Sequence, residues 1–387
     1  MVGGLHRLIS VDDYRRLARR RLPKSVFEFV DGGALDELTL ADNRAGFDRL
    51  RLLGRVLRDV SAPDLSVGLW DKTQPTPLVV SPMGSNTLIW PRAEVAIARA
   101  AAARGIPYTL STMSTIGLDR LARQVDGELW FQLYVLKDYD FNRKLVQRAA
   151  EFGYSTLVVT VDLQTGGKRE RDLRNGISIP LRLSLRHVLE GLTHPGWALR
   201  LVRGGAPQFE NVRDYIGSTN AGLTIAARVA ASLDDAMAME DFARIRDWWK
   251  GRLVVKGVMH ASDAADLVAA GADGIWVSNH GGRQLDSALS SIDALPAIRD
   301  AIAGRVPLLL DSGVRRGMDV IKARALGASV VGLGRAIAYG AAAGEAGVAG
   351  VLDIVLDEIA NGLKLAGIPR YRDIDAGLLA GHGGVSQ

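Results

Sequence analysis

The chain of 387 residues contains no cysteine. This absence excludes disulfides, thiolate nucleophiles and cysteine-ligated metal sites, and no metal is expected. The chain also lacks an apolar stretch that is long and uncharged enough to span a bilayer, and its first residues have no apolar core typical of a signal peptide. We therefore expect a cytoplasmic protein, with peripheral contact to a membrane as the alternative.

The charge balance narrows the classes of partner. The net charge of +5 is compatible with an anionic substrate, a phosphate group or a membrane surface. Nucleic-acid binding would need basic residues interleaved with aromatic ones on one face, and no segment shows that pattern. The hydrophobic content of 48% is ample for a large core.

Short, continuously apolar runs recur eight times along the chain, as in strands that are buried on both faces. Alanine-rich amphipathic stretches that end at glycine lie between them and predict helices. Eight such units predict a single-domain (β/α)8 barrel over residues 1–387, in preference to an open doubly wound sheet. The runs are 77–83, 108–112, 129–135, 156–162, 253–258, 274–279, 307–312 and 329–335.

Two segments depart from this alternation. Residues 1–75 contain "VDDYRRLARRRL" and "KSVFEFVDGG" and are predicted to form a helical N-terminal segment. Residues 163–231 mix arginines, prolines and a tryptophan, and are predicted to form a long loop inserted after the fourth strand. Loops of this length are usually lids, binding surfaces or disordered.

Polar side chains end six of the eight predicted strands. Because the active sites of such barrels lie at the carboxyl ends of the strands, these side chains are expected to share one site. A single polar residue at a strand end often has only a structural role, whereas six such residues together predict a functional site. They are Tyr134, Asp162, Lys256, His280, Asp311 and Arg335.

The last two strands carry a second signal. The stretches "DSGVRRG" (311–317) and "GLGR" (332–335) place glycines and arginines where barrels often bind phosphate. Glycine lets backbone N–H groups approach a phosphate, and Arg315 and Arg335 can bind its oxygens. A phosphorylated cofactor or substrate is therefore expected.

The stretch "SNHGGRQLD" (278–286), together with "LVVKGV", "FQLYV", "TVD", "LLDSGVRRG" and "GLGR", resembles the FMN-dependent 2-hydroxy acid dehydrogenase/oxidase family. That family includes glycolate oxidase, L-lactate dehydrogenase and L-mandelate dehydrogenase, and the likeness runs from about Leu22 to about Gly367. The resemblance implies an FMN cofactor and oxidation of a lactate-like or mandelate-like L-2-hydroxy acid to the 2-keto acid. It also implies a homotetramer and a final acceptor such as oxygen or a quinone.

The resemblance assigns catalytic roles to four residues. It makes His280 the base, Asp162 the carboxylate that stabilises the resulting imidazolium, and Tyr134 the hydroxyl that meets the substrate oxygen. It places Lys256 beside the N1–O2 edge of the flavin. The cofactor would also contact Pro82, Met83, Gly84, Ser111, Gln132, Thr160 and Ser278, with Asp311 on the ribityl hydroxyls and the phosphate among Gly313, Arg315, Gly334 and Arg335.

The substrate side matches the family less completely. Arg283 and Arg169 match the arginines that bind the substrate carboxylate. Phe29 stands where the family normally has a tyrosine, which leaves two interpretations: a weaker carboxylate site, or a larger or atypical substrate. Met113 replaces the tryptophan of glycolate oxidase-like members, and Gly84 replaces the alanine of many oxidases, which favours an acceptor other than oxygen.

Three alternatives remain open at this stage. An FMN-dependent isomerase would not need His280, Arg283 and Arg169 together. A non-catalytic flavin-binding or membrane-binding module is suggested by Phe29 alone. Within residues 183–215, the stretch "THPGWALRLVRGG" resembles lactate dehydrogenase-like members, and the matching segment of mandelate dehydrogenase-like relatives attaches the enzyme to the membrane. The alternative is an ordinary lid or subunit contact. The predicted membrane stripe comprises Trp197, Leu199, Arg200, Leu201 and Arg203.

Overall fold

Eight parallel strands form a closed barrel, as the sequence predicts. The computed structural model describes residues 5–176, 185–204, 208–213, 215 and 231–381. Each barrel strand pairs with the next one along the chain, and the last strand closes on the first. After a hairpin of β1 (Val67–Leu69) and β2 (Lys72–Gln74), the barrel strands are β3 (Leu78–Met83), β4 (Tyr108–Ser111), β5 (Leu129–Tyr134), β6 (Thr156–Thr160), β7 (Arg252–Val258), β8 (Gly274–Val277), β9 (Leu308–Leu310) and β10 (Val330–Leu333).

The strands are apolar on both faces because the barrel interior and the surrounding helices both exclude water. The indole rings of Trp130 and Trp276 are fully buried and meet edge to face, with their centres 6.4 Å apart. At the carboxyl ends of the strands, the register brings polar residues together. Thr160 of β6 lies beside Lys256 of β7, for example. The carboxyl ends therefore carry the polar side chains.

The N-terminal segment is helical only as far as Arg49. It contains α1 (Val11–Arg21), α2 (Lys24–Asp31) and α3 (Leu38–Arg49), after which no helix occurs before the barrel. The prediction of a helical segment over 1–75 was therefore wrong for its last third. Gly54 and Pro63 disfavour helix there, and the chain instead reaches the antiparallel hairpin of β1 and β2.

Twelve further helices are described. In chain order they are α4 (Ala93–Ala102), α5 (Leu118–Ala122), α6 (Tyr139–Glu151), α7 (Glu170–Asn175), α8 (Leu185–Thr193), α9 (Pro195–Gly204), α10 (Met239–Trp248), α11 (Ala261–Ala269), α12 (Ser291–Ile302), α13 (Gly317–Ala325), α14 (Arg335–Ala341) and α15 (Gly344–Ala366). Within the described ranges, no helix is long and apolar enough to cross a membrane. Those ranges also contain no cluster of three or more acidic or histidine side chains able to hold a metal ion.

The insertion after β6 carries helices where the sequence predicts a loop. Its described part includes α7, α8 and α9. The chain returns to the barrel through Ser232 and Asp234, which form backbone hydrogen bonds with Lys137 (2.9 Å) and Val135 (3.0 Å) beyond the end of β5. The insertion therefore begins and ends at the carboxyl face of the barrel.

Candidate active site

A cavity of about 510 Å³ opens at the carboxyl ends of the barrel strands. Its walls come from the strand ends, from α2 and from the insertion. The predicted site residues that line it are Phe29, Pro82, Met83, Gly84, Ser111, Met113, Tyr134, Thr160, Arg169, Lys256, His280, Arg283, Asp311, Gly313, Arg315, Gly334 and Arg335. The other three, Asp162, Gln132 and Ser278, lie behind this wall and contact residues close to the cavity.

The imidazole of His280 is held from both sides. Its Nδ1 lies 2.9 Å from Oδ1 of Asp162, and its Nε2 lies 3.3 Å from the hydroxyl of Tyr134. Because an ionised carboxylate only accepts hydrogen bonds, Nδ1 carries a proton and Nε2 of the neutral ring is left as an acceptor. The arrangement leaves an imidazole whose basic nitrogen is beside the cavity.

Asp162 is kept ionised by its neighbours. Burial alone would raise its pKa, but the charge of His280, the hydrogen bond to its ring and the more distant Lys256 together lower the pKa of this carboxyl below its ordinary value. Gly257 lets strand β7 pass close to it. This glycine has φ +102°, and a Cβ there would lie 2.6 Å from Cβ and Cγ of Asp162.

Lys256 is buried in a polar cluster. Its Nζ donates to Oγ of Ser278 at 2.7 Å and lies 3.3 Å from Oδ2 of Asp311. The hydroxyls of Ser81 and Ser312 donate to the two carboxylate oxygens of Asp311, each at 3.0 Å. These contacts fix the carboxylate and the ammonium group together at one edge of the cavity.

Two guanidinium groups lie over the ring of Phe29. The Cζ atom of Arg283 is 5.3 Å from the ring centre, and that of Arg169 is 5.8 Å from it. Nη1 of Arg283 also donates to the main-chain oxygens of Phe29 (2.7 Å) and Gly32 (3.2 Å). The aromatic ring thus supports both arginines even without a tyrosine hydroxyl.

This pair of arginines carries more positive charge than its surroundings neutralise. Burial and the like charge of Arg169 lower the pKa of Arg283 well below its ordinary value. Asp172, which sequence reasoning missed, lies 3.4 Å from Nε of Arg169. Burial raises the pKa of Asp172 even though both arginines oppose the shift. An anionic group entering here would therefore be stabilised.

A second part of the cavity suits a phosphate. Arg335 donates to the main-chain oxygens of Val30, Gly281 and Gly32 at 2.7 to 2.9 Å, and in the described chain none of its hydrogen bonds reaches a carboxylate. Burial lowers the pKa of Arg335 to about 10, so it remains charged at neutral pH. Arg315 and the glycines at 313 and 334 line the same region.

The buried polar atoms near the cavity that have no hydrogen-bond partner include Nε2 of Gln132 and Oγ1 of Thr160. The side chain of Thr160 lines the cavity, and Oε1 of Gln132 already accepts from Ser111 at 2.9 Å. Buried polar groups are normally satisfied, so these atoms fit a ligand with a hydrogen-bonding edge. Combined with the cation at Lys256 and the phosphate region, they define a class: a flavin-dependent oxidoreductase built on a barrel.

The comparisons with known proteins agree with this class. Residues 18–381 match the family model described as FMN-dependent dehydrogenase. The chain is 44% identical to the L-lactate dehydrogenase of Xanthomonas axonopodis pv. citri (strain 306), over 96% of both chains. It is 43% identical to the (S)-mandelate dehydrogenase of Pseudomonas putida, over 97% of this chain and 95% of that one.

Solved structures give the same result. A structure described as the monotopic membrane protein (S)-mandelate dehydrogenase has a TM-score of 0.91 and 42% identity, and the match covers 96% of this chain and 99% of that one. A mandelate oxidase with (S)-2-phenylpropionate has a TM-score of 0.80 and 34% identity, with 94% and 96% covered. The chain belongs to the FMN-dependent dehydrogenase family, and its cofactor is FMN.

Several site residues were not found from the sequence. Ser81 lies in the carboxyl half of β3 and Ser312 follows β9, and both could have been found as small polar residues near strand ends. Gln284 lies within the "SNHGGRQLD" stretch and donates to the main-chain oxygens of Asp162 (3.1 Å) and Thr165 (2.8 Å). Phe209 and Leu233 also line the cavity. No sequence signal indicates the last two, because an insertion has no regular spacing relative to the strands.

Proposed function

We propose that this protein oxidises the hydroxyl-bearing carbon of an L-2-hydroxy acid and releases the 2-keto acid. The observation that carries the proposal is His280, whose Nδ1 is held by Asp162 while Nε2 remains a base beside the cavity. Relatives named L-lactate dehydrogenase and (S)-mandelate dehydrogenase support both the reaction and the configuration at the reacting carbon.

FMN, when bound, supplies the acceptor of the two electrons that leave the substrate carbon. Nε2 of His280 takes a proton from the substrate, and the carboxylate of Asp162 stabilises the imidazolium that forms. Tyr134 places its hydroxyl beside the same nitrogen and is suited to hold the substrate oxygen. Burial raises the pKa of Tyr134 above its ordinary value, so the phenol remains protonated and can donate.

The substrate carboxylate is assigned to Arg283 and Arg169. In the described structure, Nε and Nη2 of Arg283 have no hydrogen-bond partner, which leaves donors for a carboxylate. Phe29 holds both guanidinium groups through its ring and not through a hydroxyl. This arrangement favours the simpler interpretation of Phe29, in which the carboxylate site is kept and has one hydrogen bond fewer.

The same cavity has groups for each part of FMN. Gln132, Thr160 and Lys256 are assigned to the flavin ring, with the backbone at 82–84, Ser111 and Ser278 around them. Asp311 is assigned to the ribityl hydroxyls. The phosphate is assigned to Gly313, Arg315, Gly334 and Arg335, where excess positive charge and close backbone approach occur together.

An anaerobic titration tests the proposal. The purified yellow protein is mixed with L-lactate, L-mandelate or a longer L-2-hydroxy acid, and bleaching of the flavin absorbance is followed together with keto acid release. We expect stoichiometric bleaching, with a large loss of rate in His280→Gln at unchanged FMN content. Absence of bleaching with every acid would refute the proposal, and turnover without bleaching would indicate an isomerase.

For the final acceptor we propose a quinone or another carrier in preference to oxygen. Gly84 supports this choice because many oxidases of the family have alanine at this position. A Cβ there would lie 2.9 Å from the main-chain oxygen of Met113. The test uses the bleached protein from the titration. Re-oxidation should be faster with a soluble quinone than with air-saturated buffer, and the reverse order would refute the choice.

We also propose peripheral membrane contact through residues 183–215. Five exposed apolar side chains on α8 and α9 support it: Val188, Leu189, Leu192, Leu199 and Val202. The predicted stripe needs correction, because Trp197 donates through its indole to the main-chain oxygen of Leu88 and Arg200 stacks on Trp90. Both therefore anchor α9 to the barrel. The expected homotetramer stays a prediction that light scattering can check.

A further inference from the structure

Residues 208–213 of the insertion are hydrogen-bonded to the first turn of α5 and to the loop before it. Oδ1 of Asn211 accepts from the backbone N–H of Leu118 at 2.8 Å, and its Nδ2 donates to Oγ of Ser114 at 2.9 Å. Oε2 of Glu210 accepts from the N–H of Gly117 at 2.7 Å. Asn211 is 2% exposed, so these hydrogen bonds are shielded from water. The segment therefore has a defined position relative to the loop after β4.

Residues 208–213 also contribute to a hydrophobic cluster that is separate from the main core. Phe209 and Val212 are buried there with Met113, Leu136 and Leu233. Leu233 is positioned independently, because the residues on either side of it form backbone hydrogen bonds with the chain beyond β5. Phe209, Met113 and Leu233 also line the cavity, and so does Leu163 at the start of the insertion. These four side chains are called the apolar wall below.

The apolar wall begins beside the reacting groups. Tyr134 packs against the cluster, and its ring stacks on His280 with an angle of 19° between the planes. The proposed carboxylate anchors, by contrast, lie on the ring of Phe29. A substrate carbon bonded to hydroxyl and carboxylate has one further substituent besides hydrogen. The apolar wall is a surface beside the reacting groups that suits an apolar substituent.

We propose that Phe209 determines specificity by forming a subsite for a bulky apolar substituent, and that Asn211 positions it. The preferred substrate class is then aryl or branched-alkyl L-2-hydroxy acids over L-lactate. This inference rests on the proposed oxidation of a 2-hydroxy acid. Burying a phenyl or isobutyl group against Phe209, Met113 and Leu233 removes apolar surface from water, whereas a methyl group leaves the wall in contact with solvent.

The substitution Phe209→Ala tests the subsite against a matched control. The measurement is kcat/KM for L-mandelate, L-2-hydroxy-4-methylpentanoate and L-lactate. We expect the ratio of mandelate to lactate to fall roughly 10–100-fold, mainly through KM for the aryl acid. Phe141→Ala removes a ring packed on the same cluster that does not line the cavity, and it should leave the ratio nearly unchanged.

Asn211→Leu and Asn211→Asp test the positioning role. The leucine variant removes these hydrogen bonds and a longer one from Nδ2 to the main-chain oxygen of Ser111 (3.4 Å), and it should reproduce the lost mandelate preference, again through KM. The aspartate variant keeps the acceptor for the N–H of Leu118. Its ratio of kcat/KM for mandelate to that for lactate should therefore stay close to the parental value. Should Asn211→Leu not fold, Ser114→Ala removes one partner alone and should give a smaller shift in the same direction.

The outcomes separate this inference from the proposed function. Bleaching by all three acids with no preference in the parent protein, or an unchanged ratio in Phe209→Ala, overturns the subsite while the oxidation stands. An unchanged ratio in both Asn211→Leu and Ser114→Ala overturns the positioning role. If none of the acids bleaches the flavin, both the oxidation and the subsite are refuted.

Discussion

The carboxylate of Asp162 lies 2.9 Å from Nδ1 of His280, and the hydroxyl of Tyr134 lies 3.3 Å from the other ring nitrogen. This relationship fixes which nitrogen is protonated in the neutral ring. It also gives the imidazolium a counter-ion as soon as it forms. Asp162 follows β6 and His280 follows β8, so the barrel itself sets their separation.

Asp162→Asn should slow flavin reduction by roughly 10²–10⁴-fold, because the imidazolium loses its negative partner while the side chain keeps its size. FMN content should be unchanged, since Asp162 does not line the cavity. Stopped-flow reduction under anaerobic conditions with saturating hydroxy acid measures the rate. A variant that reduces FMN at the parental rate would remove Asp162 from the mechanism.

The same pair predicts a pH dependence of stability. The folded pKa of Asp162 lies below its unfolded value, so between these two values the unfolded chain binds more protons. The contribution of Asp162 to the stability of the fold is therefore complete above its unfolded pKa of about 3.9, and it is lost as the pH falls through the folded pKa. Urea unfolding measures the free energy of unfolding of the parent and Asp162→Asn proteins at pH 7, 5 and 3.5. The difference in this free energy between the two proteins should shrink only at pH 3.5. A constant difference would contradict this.

Gly257→Ala should slow flavin reduction as well as lower the stability of the protein through backbone strain. The residue has φ +102°, and a Cβ would press on Asp162. Gly153→Ala is the matched control, with φ +77° and no atom within 4 Å of a Cβ. Both variants should lose stability, the control by about 1–2 kcal/mol. Only Gly257→Ala should also slow flavin reduction. Equal reduction rates in the two variants would contradict the proposed close approach.

Arg335→Ala should weaken FMN binding by about 10–150-fold, the range of one hydrogen bond to a charged group. Titration of apoprotein with FMN, followed by flavin fluorescence, measures the dissociation constant. Arg305→Ala is the control, because Arg305 also donates to main-chain oxygens but precedes β9 at the opposite end of the barrel. Equal effects of the two substitutions would argue against a phosphate site at Arg335.

Replacing both Leu192 and Val202 with serine should reduce sedimentation with anionic lipid vesicles by roughly tenfold or more, since two exposed apolar side chains are lost from the proposed contact. These residues are 71% and 80% exposed. The matched control replaces Leu365 and Val56, which are 74% and 81% exposed elsewhere on the surface. Equal binding by all three proteins would locate the contact outside α8 and α9.

The barrel and the strand-end residues could be predicted because both follow from local pattern. The predicted run 156–162, which contains β6, can be recognised from seven residues, and the polar residue at its end must lie at the carboxyl face of the barrel. The positions of Tyr134, Lys256 and His280 therefore needed no knowledge of distant contacts.

Other features depend on contacts that no local pattern encodes. Trp197 and Arg200 were expected on an exposed stripe, but the carbonyl of Leu88 and the ring of Trp90 hold them against the barrel. Phe209 lines the cavity two residues before Asn211, whose hydrogen bond to Leu118 joins positions 93 residues apart in the chain. Both outcomes depend on how the insertion packs.

The contacts of Arg335 with Val30 and Gly32 join residues that are 305 and 303 positions apart in the chain. During synthesis, α2 emerges long before the residue that will hold it in place. The N-terminal wall of the cavity therefore completes its docking only after the last barrel strand has been made, since contacts of such long range form late. A nascent chain that stops just before residue 335 would have all eight barrel strands and yet lack this arginine of the cavity, so acquisition of the cofactor reports that synthesis has passed Arg335.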